Sequence, residues 1–164
     1  MKIRSLLPVA ALVAVTPFLI SAPASAAVTF DAGTGVGFVG KGDVQLALGL
    51  NNAQIQNTPV AFSYSSTSVA STTWTCDRDA GPQTQERANT TTTTTQGVVS
   101  TVARVKNQIT GYNLTGFSAG SSVVTEHEGP AIGSCPTGWT AIDLVEGEPE
   151  VIGGGLFVNG VLLQ

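Results

Sequence analysis

Apolar and polar positions alternate with a period of two along much of the chain, the pattern of half-buried strands. Val44, Leu46, Leu48 and Leu50 fall on one side of such a strand, and Gln45, Ala47, Gly49 and Asn51 on the other. A helix starting at Asp43 competes, but Gly42 and Gly49 disfavour it, so a strand is expected. Asn51 stands where it caps one short helical turn over residues 52–56, before Pro59 opens the next extended run. Val60, Phe62 and Tyr64 alternate again, and residues 69–76 are Thr-rich and β-branched, with Trp74 and Cys76 on one face. The polar stretch 77–88, around Gly81-Pro82, is expected to be a loop.

Beyond it, six threonines from Thr90 to Thr95 fit a strand, and further strands are expected over residues 98–106, 109–117, 123–128 and 139–145. The clearest local signal is Asn159-Gly160 between Val158 and Val161, a two-residue turn whose positive φ values suit strand twist. Leu156, Val158, Val161 and Leu163 share one face of that hairpin, while Phe157 and Leu162 share the other. With both faces apolar, the hairpin is expected to be central in the core or covered by a partner. About eight to ten strands joined by short connections, with no strand–helix–strand alternation, predict an all-β fold. The expected form is a single-domain antiparallel β-sandwich, immunoglobulin-like in architecture, or a flattened barrel, with one short helical turn. Trp74 precedes Cys76 instead of following it on the next strand, which leaves the topology open.

The N-terminus changes the picture of what folds. Lys2 and Arg4 make a short basic region, residues 5–20 are apolar, and Ala24-Ser25-Ala26 is a small-x-small cleavage site. Residues 1–26 are therefore expected to be a Sec signal peptide cleaved after Ala26, releasing residues 27–164 as one secreted β-domain. Pro8 and Pro17 interrupt the apolar run, which falls short of the ~20 residues that span hydrocarbon, so no membrane insertion is expected after cleavage. In an oxidising compartment the two cysteines, Cys76 and Cys135, are expected to form one disulfide.

Charge narrows the partners. The expected mature part keeps Lys41, Arg78, Arg87, Arg104 and Lys106 against 11 acidic residues, a formal charge of −6. Counterion-release binding requires clustered cations, so nucleic acid is not an expected partner. All 19 glycines lie in the same part, a turn-rich composition that excludes a helical bundle.

Four groups of residues invite a chemical reading. Gly116-Phe117-Ser118-Ala119-Gly120 has the G-x-S-x-G spacing of a nucleophile elbow. The only histidine, His127, follows nine residues later with Glu126 as the sole carboxylate between, and no helical segment follows Ser118. A Gly/Ser turn between strands is the expected structure, although adjacent strands would be able to bring Ser118 and His127 within reach. His127 is flanked by Glu126 and Glu128, but strand alternation turns both carboxylates away from the imidazole, so a solvated edge-strand histidine is expected and no metal site. Asp77-Arg78-Asp79-Ala80-Gly81 opens like a calcium loop, yet Ala88 stands where the bidentate glutamate belongs. Asp143, Glu146, Glu148 and Glu150 read as ordinary solvated charge. Asn89-Thr90-Thr91 and Asn113-Leu114-Thr115 are formal glycosylation sequons.

Gly37-Phe38-Val39-Gly40-Lys41-Gly42-Asp43-Val44-Gln45, followed by Asn51-Asn52-Ala53-Gln54, resembles a motif of small, uncharacterised secreted proteins of actinobacteria. Asn107-Gln108-Ile109-Thr110-Gly111-Tyr112-Asn113-Leu114 and the closing Leu156-Phe157-Val158-Asn159-Gly160 are similar to later blocks of that group. The resemblance implies export and a single domain, and carries no activity. The expected function is that of a non-catalytic domain without cofactor, acting through its surface in adhesion, envelope association or binding of an extracellular protein or glycan. The alternative is a carrier for a small apolar ligand, of the chromoprotein-apoprotein kind, which requires several of Phe38, Phe62, Trp74, Phe117, Trp139 and Phe157 to line one cavity.

Overall fold

A computed structural model of the chain describes residues 28–79 and 81–163, so the expected signal segment and its cleavage point lie outside the described residues. The strands are β1 (Thr29–Asp31), β2 (Val36–Gly40), β3 (Phe62–Asp77), β4 (Thr84–Val105), β5 (Gln108–Glu128), β6 (Thr140–Glu146), β7 (Glu150–Val158) and β8 (Val161–Leu162), with one helix, α1 (Lys41–Leu48), after β2. All pair antiparallel in one curled sheet of order β1-β2-β5-β4-β3-β7-β8. β6 pairs with β3 over Thr72–Asp77 and β7 with β3 over Phe62–Val69, so β6 and β7 succeed one another along the same edge. The all-β antiparallel class expected from the alternation is the class observed.

The strands are much longer than the sequence suggests. β4 runs for 22 residues and β5 for 21, and 22 residues of strand reach about 70 Å. One expected turn and the second part of an expected loop are absorbed into them, while the connection around Gly81-Pro82 stays outside the strands as expected. Thr84–Ala88, expected within a loop, pairs with Cys76–Thr72 of β3. The Gly116–Gly120 segment, expected as a turn between two strands, lies inside β5 with no reversal of the chain. There Gln96 pairs with Ser121 and Val98 with Phe117, so three residues of β5 face Gly97 alone, a bulge that keeps both strands in the sheet. Gly120 takes φ +86° in it.

A further correction concerns residues 43–51, where a helix stands in place of the expected strand. α1 buries Val44 and packs Ala47 and Leu48 against the core, the i, i+3, i+4 stripe of one helical face, while Leu46 is 86% exposed. Gly49, counted against a helix, is its stop: it sits at φ +64° just beyond Leu48, the left-handed position that favours glycine. The short turn that follows is as expected. Asn51 Oδ1 accepts from the Ala53 and Gln54 N–H groups, Gln54 Oε1 accepts from the Asn51 N–H, and Ile55 is buried beneath.

Buried side chains fall into two separate clusters. At one end of the sheet Val39, Phe62, Val98, Ile109, Tyr112, Leu114, Leu156 and Val158 meet Val44 of α1 and Ile55; each large aliphatic buried there stabilises by about 1.5–3 kcal/mol. At the other end Trp74, Cys76 and Ala88 are buried beside Cys135, Trp139 and Ala141. Cys76 and Cys135 are joined, as expected, with Cα atoms 5.7 Å apart. Cys135 lies in the loop between β5 and β6, so the disulfide ties a loop over the sheet, and Trp74 Nε1 donates to the Ser134 carbonyl at 2.9 Å.

The C-terminal hairpin has the expected register, Val158 with Val161 and Phe157 with Leu162, and Asn159 and Gly160 have φ +46° and +83°. Its position meets the expectation for one arm only: Leu156 and Val158 of β7 are buried in the core and Leu163 packs against it, whereas β8 ends the sheet order with Val161 and Leu162 exposed. The Asn159 side chain holds the turn, accepting from the Ala61 N–H and donating to the Pro59 carbonyl.

Candidate functional site

Between the two clusters lies a strip of sheet with no buried residue. It comprises residues 65–71 of β3, 89–97 of β4, 119–128 of β5 and 150–154 of β7. The reason is compositional. Ser, Thr and Gly dominate it, and the larger apolar side chains Val123, Val124, Val151 and Ile152 stay exposed on its two outer strands, without a second layer over them among the described residues.

Register sorts the strip into two faces. Ser65, Thr67 and Val69 lie opposite Thr95, Thr93 and Thr91, which in turn lie opposite Ser122, Val124 and Glu126. Hydroxyls bridge the strands on this face, Ser65 to Thr95 and Thr67 to Thr93, both at 3.1 Å. At its far end Arg87 donates to the Ser71 hydroxyl and to Asn89 Oδ1, and Ser71 donates to the same Asn89 oxygen. The second face carries Ser66, Ser68 and Ala70, then Thr94, Thr92 and Thr90, then Val123, Thr125 and His127. The threonine run is thus a central strand that sends alternate hydroxyls to both sides.

The residues singled out for chemistry are not gathered into one site. Ser118 and His127 lie on the same strand, nine residues apart, which at strand rise is about 25–30 Å, so the adjacent-strand approach that sequence allowed does not occur. Ser118 Oγ donates to the Gly97 carbonyl across the bulge. His127 Nδ1 shares a 3.1 Å hydrogen bond with the Thr90 hydroxyl, while Glu126 and Glu128 pair with Thr91 and Asn89 on the opposite face. Among the described residues β2 reaches β5 only at Gly111–Thr115 and no other strand pairs with that side of β5, so His127 lies at a sheet edge, as expected. Asp77 accepts from the Gln83 side-chain amide at 3.3 Å. Among the described residues, no three acidic, histidine or cysteine side chains converge as metal ligands.

The aromatics from which a carrier requires several in one cavity are divided. Phe62 belongs to the first cluster, Trp74 and Trp139 to the second. A cavity of about 270 Å³ does open elsewhere, between β1 and β7 of the curled sheet, lined by Phe30, Ala32, Tyr64, Val151, Leu156 and the glycine run 153–155. Phe30 and Tyr64 pack with ring centroids 5.3 Å apart, and Phe117 adjoins both. Sequence reasoning missed this site because Phe30 and Tyr64 meet only when the sheet curls. Compared with family models, with curated proteins and with solved structures, the chain matches none.

Proposed function

We propose that this protein is a secreted, non-catalytic β-domain that acts by surface contact with an extracellular protein or glycan. The observation that carries this reading is the bare central strip. A sheet that has to bury apolar surface covers at least one face, whereas here β3 and β4 present hydroxyls on both faces between two small cores, and Val123, Val124, Val151 and Ile152 beside them stay exposed. The Cys76–Cys135 disulfide suits an oxidising compartment.

The test is to express the full chain in a Sec-competent bacterial host, sequence the N-terminus of the released protein, and measure its co-sedimentation with insoluble envelope polymers and its capture on immobilised extracellular proteins. Thr92→Lys and Thr94→Lys place charge in the strip and are expected to weaken capture about tenfold or more, the equivalent of 1.4 kcal/mol, with no change in melting temperature. Capture unaffected by either would rule out the strip as the contact. Ester hydrolysis lost in both Ser118→Ala and His127→Ala would overturn the non-catalytic reading.

The cavity between Phe30, Tyr64 and Leu156 favours a second reading, a carrier of a small apolar ligand, since its volume lies just under the usual range for ligand sites. Native mass spectrometry of the secreted protein distinguishes the two readings: a retained small molecule supports the carrier.

A further inference from the structure

The charges of this chain are segregated along the sheet. Nine of the acidic residues, Asp77, Asp79, Glu86, Glu126, Glu128, Asp143, Glu146, Glu148 and Glu150, lie along the strip or at the disulfide end, with Arg78 and Arg87 as the cations there. Among the described residues the remaining cations, Lys41, Arg104 and Lys106, stand at the opposite end, where β2 runs into α1 and β4 turns into β5. In a protein of net negative charge this is a local positive field.

A pocket of about 370 Å³ opens at that end. It is lined by Lys41 from the start of α1, Asn52 and Gln56 from the capped turn, and Asn107 and Gln108 from the β4–β5 turn. One ammonium and four carboxamides form this wall, with no carboxylate among the lining residues; Asp43, in the first turn of α1, is the nearest acid in sequence to it. Asn52 is oriented by its neighbours: its Oδ1 accepts from Lys41 Nζ at 3.0 Å and from Gln45 Nε2 at 3.3 Å. Both donors claim the oxygen, so the Asn52 Nδ2 group is left as a pair of donors, beside the two remaining Lys41 N–H bonds. The opposite wall is a tight turn in which Lys106 and Asn107 both hold positive φ, +48° and +63°. Lys106 pays for that conformation with steric strain that a glycine avoids. Arg104 braces the turn by donating to the Asn107 carbonyl at 3.2 Å.

We infer that this pocket binds a small, hydroxyl-rich anion, an acidic monosaccharide unit carrying one carboxylate. Lys41 is the charged partner of the carboxylate. The carboxamides of Gln56, Asn107 and Gln108, each both donor and acceptor, suit the hydroxyls, which are also both, and Asn52 adds two donors. A neutral sugar leaves the Lys41 ammonium without a counter-charge, and a bare carboxylate leaves Gln56, Asn107 and Gln108 unused. The site is separate from the central strip, so it stands or falls independently of the strip as a contact surface.

The experiment uses the secreted protein and three probes, glucuronate, glucose and acetate, followed by amide chemical shifts and by titration calorimetry. Glucuronate is expected to perturb the backbone and side-chain amides of Asn52, Gln56, Asn107 and Gln108 in a saturable way, at least about tenfold more tightly than glucose or acetate. Lys41→Gln and, separately, Gln108→Ala are each expected to weaken glucuronate by about fivefold or more with the melting temperature unchanged. Gln108 is exposed beside the turn, so its variant keeps the test valid if Lys41→Gln disturbs the helix start. No saturable shift at these amides, or equal affinity for acetate, or glucuronate binding unchanged in both variants, would overturn the inference. A glucuronyl oligosaccharide that binds more tightly than the monosaccharide would identify the unit as part of a polymer; equal affinity would identify the free sugar acid.

Discussion

The two ends of this sheet are stabilised by different means. At the end that carries α1, ten buried residues from six elements and the capped turn meet over one face, and burial of apolar surface holds the fold. At the other end the buried apolar residues among those described are Trp74, Cys76 and Ala88, with Thr72 beside them, and a disulfide holds a loop against them. The difference teaches how a chain with few large apolar residues supports strands of more than 20 residues. It concentrates its core at one end, cross-links the other, and lets backbone pairing and hydroxyl bridges carry the span between them.

The largest effect is expected from removing the cross-link. Cys76→Ser with Cys135→Ser frees a 59-residue separation and should cost about 4 kcal/mol. Hydrogen exchange should show the loss at Thr72–Asp77 and Thr140–Glu146, with Gln108–Thr115 still protected. Equal loss of protection at both ends would break the comparison, because it would mean that the sheet unfolds as one unit. Leu114→Ala, at the core end, is expected to cost about 3 kcal/mol and to lower the melting temperature of the whole domain, since Leu114 is buried in the core on β5, which pairs with both β2 and β4. A loss confined to β1 and β2 would show that this core is not the common support.

The glycine run in β7 gives a smaller and sharper test. A Cβ on Gly154 would sit 2.9 Å from the Tyr64 hydroxyl and 3.0 Å from the Ser65 carbonyl oxygen, whereas one on Gly153 meets nothing within 4 Å. Gly154→Ala should therefore destabilise by about 1–2 kcal/mol as overpacking does, and Gly153→Ala should be neutral or slightly stabilising by thermal unfolding. The smallest effect belongs to Asp31. The Thr34 hydroxyl, followed by the Gly33 N–H, donates to its carboxylate and holds its pKa below the ordinary value. A lowered folded-state pKa means stability present above the unfolded value of about 3.9 and lost as pH falls through the folded one. Asp31→Asn is expected to lower the melting temperature slightly at neutral pH and to leave it unchanged below the folded-state pKa, which flattens the acid limb of the profile.

How far the sequence was legible depends on the range of the interaction concerned. Asn159-Gly160 turns the C-terminal hairpin because positive φ is a local property of those residues, and the reciprocal cap of Asn51 and Gln54 is equally local. The β character of Thr90–Thr95 and the shared face of Trp74 and Cys76 follow from propensity and the period of two. Residues 43–51 were misleading because Val44, Leu46 and Leu48 satisfy the strand period while Val44, Ala47 and Leu48 satisfy the helical one. The second won because a helix there closes the core over Ile55 and Val39. Likewise Gly116 and Gly120 carry the composition of a turn, yet a bulge opposite Gly97 accommodates them without ending β5.

By itself, then, the sequence determined the class of the fold, the Asn159-Gly160 turn, the Asn51 cap and the pairing of its two cysteines, each of which depends on residues near one another in the chain or on the only partner present. The tertiary structure alone decided that Phe30 meets Tyr64 across the curl, that the threonines lie bare between two cores, and that Lys41, Asn52 and Gln108 share one pocket. Those juxtapositions join residues tens of positions apart. They are set by strand register and sheet curvature, which are cooperative properties of all the strands together, and no local pattern encodes them.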